Sequence, residues 1–342
     1  MRYVVRSAGP EDQEGLLALA GHLDTVNLPD DPEEIRALLE RTEKSFAGQI
    51  KDARRREYVF VIEDREEKRL AGSSMVIAQY GRRDTPFISL EVKKEEKYSQ
   101  TLDRHFEHTL LRLAFNYHGP TEIGGLIVLP DYRKVSERLG QLISYVRFLY
   151  VGMHRTSFQE EVVAELLPPL EPDGTSHLWE ALGRHFTGLT YLEADKLSKK
   201  NKEFIRSLFA LGDIHAALLP EQAQAVIGAV GPQTKGVERM LRRIGFKYDN
   251  RVDPFDGGPH FRAKTDEITL VRASAQLPIG AVGPVPDGAK VHIVLVERAA
   301  APYILGVRTQ AALHDGSLLL PADAADAIGG RPGDLAWSLP LD

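Results

Sequence analysis

The stretch GPQTKGVERMLRRIGFKYDNRVDPFDGGP, residues 231–259, decides the fold. Its apolar residues at the spacing of one helix face are Val237, Met240, Leu241 and Ile244. This spacing predicts an amphipathic helix with a buried face. Gly245 follows at the position where a glycine commonly ends a helix in a left-handed conformation, and a strand comes after Phe246. The stretch therefore predicts a helix, a tight stop and a strand within an α+β domain.

The chain on the N-terminal side of this stretch predicts an ordered series of elements. We expect strands at 2–6, 58–63, 70–79, 122–129 and 162–166, and helices from 10 to about 23, from 32 to 46, near 101–115, and from after 134 to about 154. The run EIGGLIVL at 122–129 is almost continuously apolar, which suits a strand buried on both faces. The order predicts an α+β fold with a mixed central sheet flanked by helices.

The rest of the chain predicts two additions to this core. Residues 171–230 read as a helical insertion, with helices near 176–186, 199–209 and 220–229. From about residue 265 onward, short β segments alternate with proline and glycine turns. We therefore expect one domain over residues 1–264 and a small β-rich C-terminal subdomain over residues 265–342.

The composition argues against several classes of function. The 342 residues contain no cysteine, which excludes disulfides, thiolate catalysis and cysteine-ligated metals. The net charge is −6 and the one basic run, KDARRR at 51–56, is short, so we expect no nucleic-acid partner. We find no H-x-x-x-H or H-E-x-x-H pattern and expect no metal. Without a transmembrane run or a signal-peptide pattern, we expect no membrane partner and a cytoplasmic protein.

Several motifs occur together in one order and carry a family resemblance. They are YVFVIED at 58–64, LPDYRK at 129–134, VVAEL at 162–166, LWEALGRHF at 178–186, EQAQAVIG at 221–228, GPQT at 231–234, GFKY at 245–248 and FDGGP at 255–259. With these motifs the chain resembles the bacterial arginine N-succinyltransferase family, over about three quarters of its length. The resemblance implies an acyl-CoA N-acyltransferase fold of the GNAT type.

The resemblance also implies a reaction and a donor site. The family moves a succinyl group from succinyl-CoA to the α-amine of arginine, or of a related basic amino acid such as ornithine, in arginine catabolism, without a permanently bound cofactor. The pantetheine arm is expected along Leu126, Ile127 and Val128, where the strand at 162–166 splays away. The phosphates are expected at the following turn and helix N-terminus, with Arg133 and Lys134 adding charge.

Two positions depart from the family pattern. The phosphate loop usually carries two small residues, but RKVSERLGQL at 133–142 keeps only Gly140 and has Arg138 at the other place. Arg138 is either a guanidinium substitute for backbone contacts or a solvated residue at a degraded site. Gly231 occupies the position of the histidine that the family uses as proton donor. We expect Gly231→His to raise any weak succinyl transfer.

The missing histidine leaves the catalytic groups open. His215, in the insertion, and Glu165, a carboxylate within an apolar strand, are the candidates, with a surface and a hydrogen-bonding role as the respective alternatives. For the acceptor we expect Asp256, because a cationic substrate needs carboxylates, with backbone geometry of the turn as the alternative role of its segment. We also expect Asn27, in a loop that matches the family, with a plain helix-entry loop as the alternative.

Three functional hypotheses follow. The leading one is an arginine N-succinyltransferase in which the amine attacks the thioester directly. The second is a divergent, weakly active or non-catalytic subunit that assembles with a catalytic homologue. The third keeps the chemistry but uses a different amine acceptor. Because the family includes paired chains, we expect a homo- or hetero-oligomer.

Overall fold

The structure is a computed structural model that describes residues 1–22, 28–83 and 85–341. The strands in that part of the chain are β1 (Tyr3–Ser7), β2 (Glu57–Asp64), β3 (Arg69–Ile77), β4 (Phe87–Ser99), β5 (Arg104–Asn116), β6 (Thr121–Val128), β7 (Glu161–Glu165), β8 (Ile214–His215), β9 (Lys247–Val252), β10 (Pro259–Lys264), β11 (Ala275–Val282), β12 (Val291–Glu297), β13 (Ile304–Gln310), β14 (Ala312–His314), β15 (Ser317–Leu320) and β16 (Leu335–Leu341). The helices are α1 (Gln13–Ala20), α2 (Pro32–Phe46), α3 (Leu139–Met153), α4 (Arg184–Thr187), α5 (Tyr191–Lys200), α6 (Glu203–Leu208), α7 (Glu221–Val226), α8 (Lys235–Arg243), α9 (Thr269–Ala273) and α10 (Ala322–Ile328).

The chain forms two compact units. The first unit contains Met1–Gln79, Thr121–Glu160 and Thr265–Asp342, and the second contains Tyr80–Pro120 and Glu161–Lys264. The expected division after residue 264 thus coincides with a change of unit. The chain beyond it, however, belongs to the same unit as residues 1–79 and does not form a unit of its own.

In the first unit the strand order is β14-β15-β11-β16-β12-β13-β1-β2-β3-β6. Every neighbouring pair is antiparallel except β11 and β15, which are parallel. The amphipathic helices α1 and α2 bury Leu16, Leu19, Ile35 and Leu39 against Val59 of β2 and its neighbours. α3 packs against β2, β3 and β6, and this packing fixes the N-terminus of α3 beside the end of β6.

In the second unit the order is β7-β10-β9-β4-β5-β8, and all neighbouring pairs are antiparallel. The core of this unit surrounds Trp179, which is fully buried and stacks on Phe255 with ring centroids 5.0 Å apart. Residues of α5, α6 and α7 close the same core. Residues 171–230 contain a π-helical turn at Trp179–Gly183, the helices α4 to α7 and the short strand β8, and they pack on this sheet.

The fold class, α+β with a mixed sheet flanked by helices, is confirmed by these elements. In the stretch 231–259, α8 buries Leu241 and leaves Val237 half-buried, so its apolar face is only partly covered. Gly245 has a φ of 109°, and the Phe246 N–H donates to the carbonyl of Leu241 at 3.1 Å. The predicted helix, stop and strand are all present.

The helix expected near residues 101–115 is wrong, because β4 and β5 form a long hairpin there. Thirteen residue pairs join the two strands, from Phe87 opposite Asn116 to Ser99 opposite Arg104. Leucine and alanine favour a helix locally, but cross-strand pairing overrides this preference. The alternation of buried Leu111, exposed Arg112 and buried Leu113 was the signal of a strand.

None of the helices in the described residues is long and apolar enough to cross a membrane.

Candidate functional site

A β-bulge interrupts β6 at the predicted donor strand. The register with β3 shifts between Gly124 and Ile127, so that Gly125 and Leu126 together oppose a single residue of β3. Gly125 has a φ of 56°, in the left-handed region that favours glycine. A bulge bends its strand and changes the direction of the backbone groups, and Leu126 lies in this bulge. Ile127 and Val128 continue the regular pairing with β3.

The N-terminus of α3 is the second part of the donor region. Arg133 donates from Nε to the carbonyl of Val128 at 2.8 Å, and Lys134 is exposed. Arg138 precedes the helix with a φ of 51°, and no side chain caps the first turn. A Cβ added to Gly140 would meet no atom within 4 Å. The first turn therefore presents backbone N–H groups and open space to an anion.

Arg308 of β13 adds a further guanidinium to this region. Burial lowers its pKa, and the positive charge of Arg138 lowers it further. Its Nε is buried and has no hydrogen-bond partner among the described residues. Two guanidiniums close enough to repel each other favour a bound anion.

Arg147 on α3 is a buried cation that the sequence reasoning did not single out. Its guanidinium donates to the carbonyl and hydroxyl oxygens of Ser144, both at 3.0 Å, and to the carbonyl of Gly124 at 3.4 Å. Within the described residues no carboxylate pairs with it, and burial lowers its pKa to about 9. A charge inside an apolar helix, in the run ISYVRFLYV, was the available signal.

In the second unit, Glu165 faces a histidine. Glu165 of β7 lies opposite His260 of β10, with Oε1 and Nε2 3.5 Å apart. His260 is 0% exposed, and neither ring nitrogen has a hydrogen-bond partner in the described part of the chain. Burial lowers its pKa to about 3, assisted by the charges of Arg262, Arg251 and Lys202. The imidazole is therefore neutral and keeps a lone pair available.

Asp253 adjoins this pair, and Asp256 and Asp195 lie near Asp253. Asp256 is buried and accepts from the N–H of Gly258 at 2.7 Å, and burial, followed by the charges of Asp253 and Asp195, raises its pKa well above the ordinary value. Burial also raises the pKa of Asp253, and it raises that of Asp195 to about 7. Burial therefore outweighs the nearby positive charges of Lys199 and Lys202 at Asp195 and of Lys202 at Asp253.

Lys202 is the cation that approaches these carboxylates. Burial opposes its charge, but Tyr80, Glu165 and Asp253 raise its pKa. Its Nζ donates to the Tyr80 hydroxyl at 3.0 Å. The cluster, which we call the acidic cluster, consists of Glu165, Asp195, Asp253 and Asp256 around Lys202 and His260. The Lys202 ammonium interacts with Glu165, Asp253 and Asp195, and Lys199 adds a second positive charge near Asp195.

A cavity of about 190 Å³ opens beside Lys202. Its lining residues are Arg83, Pro86, Tyr117, Asn201, Lys202, Glu203 and Arg206. Three of the four charged side chains in this list are basic. Cationic groups thus border one side of Lys202, and the acidic cluster lies within reach of its charge.

The acidic cluster also contains the donor set of a metal site. Glu165, Asp253 and His260 each offer one ligand atom, and these atoms lie within 4.8 Å of one another. Sequence reasoning expected no metal because it searched for short motifs, whereas these residues come from three segments. The set suits a metal poorly, because Lys202 already supplies a positive charge to Glu165 and Asp253.

The structure does not bring the two predicted catalytic residues together. His215 lies on β8, at one end of the strand order, and Glu165 lies on β7, five strands away. Five strand spacings of about 4.8 Å separate them along the sheet, which is roughly 24 Å. The ring of His215 contacts His108, with centroids 6.0 Å apart. Asn27, the other predicted acceptor residue, lies outside the described residues.

Backbone atoms of neighbouring residues pack tightly against Gly231. Its N–H donates to the carbonyl of Leu167 at 2.8 Å. A Cβ at this position would lie 2.6 Å from the carbonyl oxygen of Pro168 and 2.9 Å from that of Leu167. A histidine side chain does not fit here unless the backbone moves. The expectation that Gly231→His raises activity therefore conflicts with the geometry.

His260 is the functional candidate that sequence reasoning missed. It follows the FDGGP block directly and lies in the strand PHFRAK, where its neighbours at 259, 261 and 263 are buried. The argument that singled out Glu165, a titratable group within a buried strand, applies equally to this histidine.

Comparison with known proteins identifies the family. The family described as "Arginine N-succinyltransferase beta subunit" matches residues 3–270. The arginine N-succinyltransferase of Yersinia enterocolitica is 32% identical over 342 residues, covering 98% of this chain and 97% of that protein. The arginine N-succinyltransferase subunit beta of Pseudomonas aeruginosa is 33% identical over 296 residues, covering 85% of each.

A solved structure agrees with this result. The arginine/ornithine succinyltransferase subunit AI from Pseudomonas aeruginosa matches with a TM-score of 0.85 and 27% identity, over 100% of this chain and 99% of that one. The motifs, the element order, the sequence relatives and this structure lead to one conclusion. The chain belongs to the arginine N-succinyltransferase family.

Proposed function

We propose that this protein transfers a succinyl group from succinyl-CoA to the α-amine of arginine or a closely related basic amino acid. The observation that carries the proposal is the burial of three neighbouring aspartates. Burial raises the pKa values of Asp195, Asp253 and Asp256 although Lys202 and Lys199 lie nearby, so a cationic ligand would stabilise the charged forms of these groups. Arginine and ornithine both supply such a cation on their side chain.

The cavity beside Lys202 suits the other end of the same acceptor. An α-amino acid carries a carboxylate next to its amine, and Arg83 and Arg206 on the cavity wall are suited to bind a carboxylate. A basic amino acid thus matches both features of the second unit: its carboxylate suits the cationic cavity and its side-chain cation suits the acidic cluster. This proposal keeps Asp256 as an acceptor-binding residue and adds Asp195 and Asp253 to that set.

For the donor we assign the bulge at Leu126, the following residues Ile127 and Val128, and the N-terminus of α3. The uncapped N–H groups and the open space at Gly140 suit the phosphates of coenzyme A. Arg133, Lys134 and Arg138 add positive charge to the same end.

Succinyl-CoA differs from acetyl-CoA by a terminal carboxylate. We assign Arg147 to this group, because its buried guanidinium has no carboxylate partner among the described residues and reaches Gly124, next to the bulge. Acyl-CoA thioesters do not cross membranes unaided, so we place the proposed reaction in the cytoplasm.

The chemistry requires a base and no covalent enzyme intermediate. The neutral α-amine attacks the thioester carbonyl, a C–N bond forms, and the nitrogen gives up a proton as the C–S bond breaks. We assign the proton to the free ring nitrogen of His260, and Glu165 stabilises the resulting imidazolium. The coenzyme A thiolate then takes up the proton. The absence of cysteine excludes an acyl-cysteine route.

A second candidate function is a subunit without chemistry that assembles with a catalytic homologue. The tight backbone packing around Gly231 favours this second candidate, because the family's histidine does not fit at that position. The relatives named as subunits agree with an assembly of two kinds of chain. The acidic cluster and His260 favour a catalytic chain, and the next two experiments separate the candidates.

We predict that His260→Gln lowers kcat for arginine about 100-fold or more, since this is the usual contribution of a general base. Binding of succinyl-CoA should not change. In the wild-type enzyme, kcat should show no ionisation near pH 6.5, because His260 stays unprotonated above about pH 3. Steady-state kinetics with thiol detection, from pH 5.5 to 9, provide the measurement. His215→Gln is the matched control, and a large loss of kcat there with none at His260 contradicts the assignment.

We also predict that Gly231→His fails to raise activity and lowers the free energy of unfolding by about 2 kcal/mol or more, because its Cβ is forced against two backbone carbonyls. Urea denaturation and a turnover assay of the same preparation test this. Gly236→His, at an exposed position where a Cβ meets no atom within 4 Å, serves as the control. Stable folding together with faster turnover for Gly231→His shows the site to be open to a histidine.

A third prediction concerns the donor. Arg147→Met should reduce the preference for succinyl-CoA over butyryl-CoA, expressed as a ratio of kcat/KM, by about tenfold or more, since a charge-assisted bond to the acyl carboxylate is lost. Butyryl-CoA has the same chain length and no carboxylate. Thermal unfolding monitors the structural effect of the variant. If both donors lose the same factor, Arg147 stabilises the fold and does not select the acyl group.

A further inference from the structure

The motif LWEALGRHF at residues 178–186 packs on the turn that carries Asp256. The side chain of Trp179 is fully buried, and its ring stacks on that of Phe255 with an angle of 12° between the ring planes. The indole Nε1 donates to the carbonyl of Leu189 at 2.9 Å, which fixes the orientation of the ring. Phe255 directly precedes Asp256, so the stack holds the side chain next to an acceptor carboxylate.

Ser176 holds the backbone of the same phenylalanine. Its hydroxyl donates to the carbonyl of Phe255 at 2.8 Å and accepts from the N–H of Trp179 at 3.1 Å. Ser176 is fully buried. A hydroxyl donates one hydrogen bond and accepts others at the same time, so a single side chain caps the first helical turn and binds Phe255.

Gly183 leaves room for the indole ring. Its backbone angles are helical, with a φ of −62° and a ψ of −40°, and at such angles alanine is ordinarily more favourable than glycine. A Cβ at this position would lie 2.3 Å from the ring of Trp179. The glycine therefore serves the position of the ring, and the π-helical turn that ends at Gly183 places this ring against Phe255.

Hydrogen bonds within the turn connect Phe255 to two aspartates. The N–H of Phe255 donates to Oδ1 of Asp253 at 2.7 Å, and the N–H of Asp256 donates to the same oxygen at 3.3 Å. Gly257 has a φ of 83°, and its N–H donates to the carbonyl of Asp253 at 2.9 Å. A displacement of Phe255 therefore moves both carboxyl groups.

We propose that Ser176, Trp179 and Gly183 are positioning residues for the acceptor. By fixing Phe255 they hold the two aspartates that flank it in the arrangement that selects a basic amino acid. The inference rests on the proposed acceptor site, and the three residues act through Phe255 without touching the substrate. Selectivity for a cation depends on where the carboxylates lie, because a charge-assisted hydrogen bond weakens steeply when its geometry is lost.

Calorimetric titration with arginine and with citrulline, with and without coenzyme A, tests the inference. Citrulline carries a neutral urea group in place of the guanidinium, and calorimetry measures binding even where no turnover occurs. Ser176→Ala should lower the preference for arginine, expressed as the ratio of the two dissociation constants, by about tenfold, since the hydrogen bond that fixes the turn is lost. Gly183→Ala should lower the preference as well, because the added Cβ displaces the indole ring.

Ser74→Ala is the matched control. Ser74 is also fully buried, and its hydroxyl donates to the carbonyl of Ile143 at 2.7 Å within the first unit. This variant should lose a similar amount of stability in thermal unfolding and keep the wild-type preference for arginine.

Three results overturn the inference. The first is a folded Ser176→Ala protein that keeps the wild-type preference for arginine. The second is an equal weakening of arginine and citrulline binding, which marks a structural role alone. The third is a wild-type protein without a preference for arginine, which overturns the proposed acceptor site as well and is seen before any variant is made. If circular dichroism shows that Ser176→Ala does not fold, Gly183→Ala is judged by the same criteria.

Discussion

The burial of three neighbouring aspartates, Asp195, Asp253 and Asp256, is the constraint on which the proposed acceptor site depends. Bringing Glu165, Asp195, Asp253 and Asp256 together costs free energy, and the raised pKa values of the aspartates express that cost. The fold holds these groups in place in spite of this cost, through the sheet, the insertion helices and the FDGGP turn. A cationic ligand would offset this cost, which agrees with the proposed basic amino acid acceptor.

The donor half shows the opposite electrostatic arrangement. Arg138, Arg308 and Arg147 lie in the first unit with few acidic partners, at the uncapped start of α3 and beside the bulge of β6. Succinyl-CoA carries negative charge at both of its ends, on the phosphates and on the succinyl carboxylate. Positive charges that lack acidic partners suit both groups. The two units thus differ in the sign of the charge that each leaves unbalanced, in agreement with an anionic donor and a cationic acceptor.

Local patterns in the sequence were enough to predict most of the fold. The helix over 32–46 and the strands over 58–63 and 122–129 rest on periodicity, capping residues and continuous apolar runs, which are local properties. The β4–β5 hairpin was missed, because the pairing of Phe87 with Asn116 spans 29 positions and outweighs the local preference of leucine-rich β5 for a helix.

The site was predicted only in part. Glu165 and Asp256 were singled out as candidates because a carboxylate in an apolar strand and one in a tight turn are visible locally. Asp195, Lys202 and His260 come from separate segments, and only the tertiary fold shows that they share one cluster. His215 was chosen from its place in the insertion, and no local pattern could show that β8 lies at the far edge of the sheet.

The most direct measurement compares arginine with citrulline as acceptors in the wild-type protein, using succinyl-CoA and detection of the released thiol. Citrulline has nearly the same shape as arginine, but a neutral urea group replaces the guanidinium. If the acidic cluster binds the side-chain cation, kcat/KM for arginine should exceed that for citrulline by about 100-fold or more, since a buried charged pair contributes at least that much. Values within about threefold of each other contradict the account.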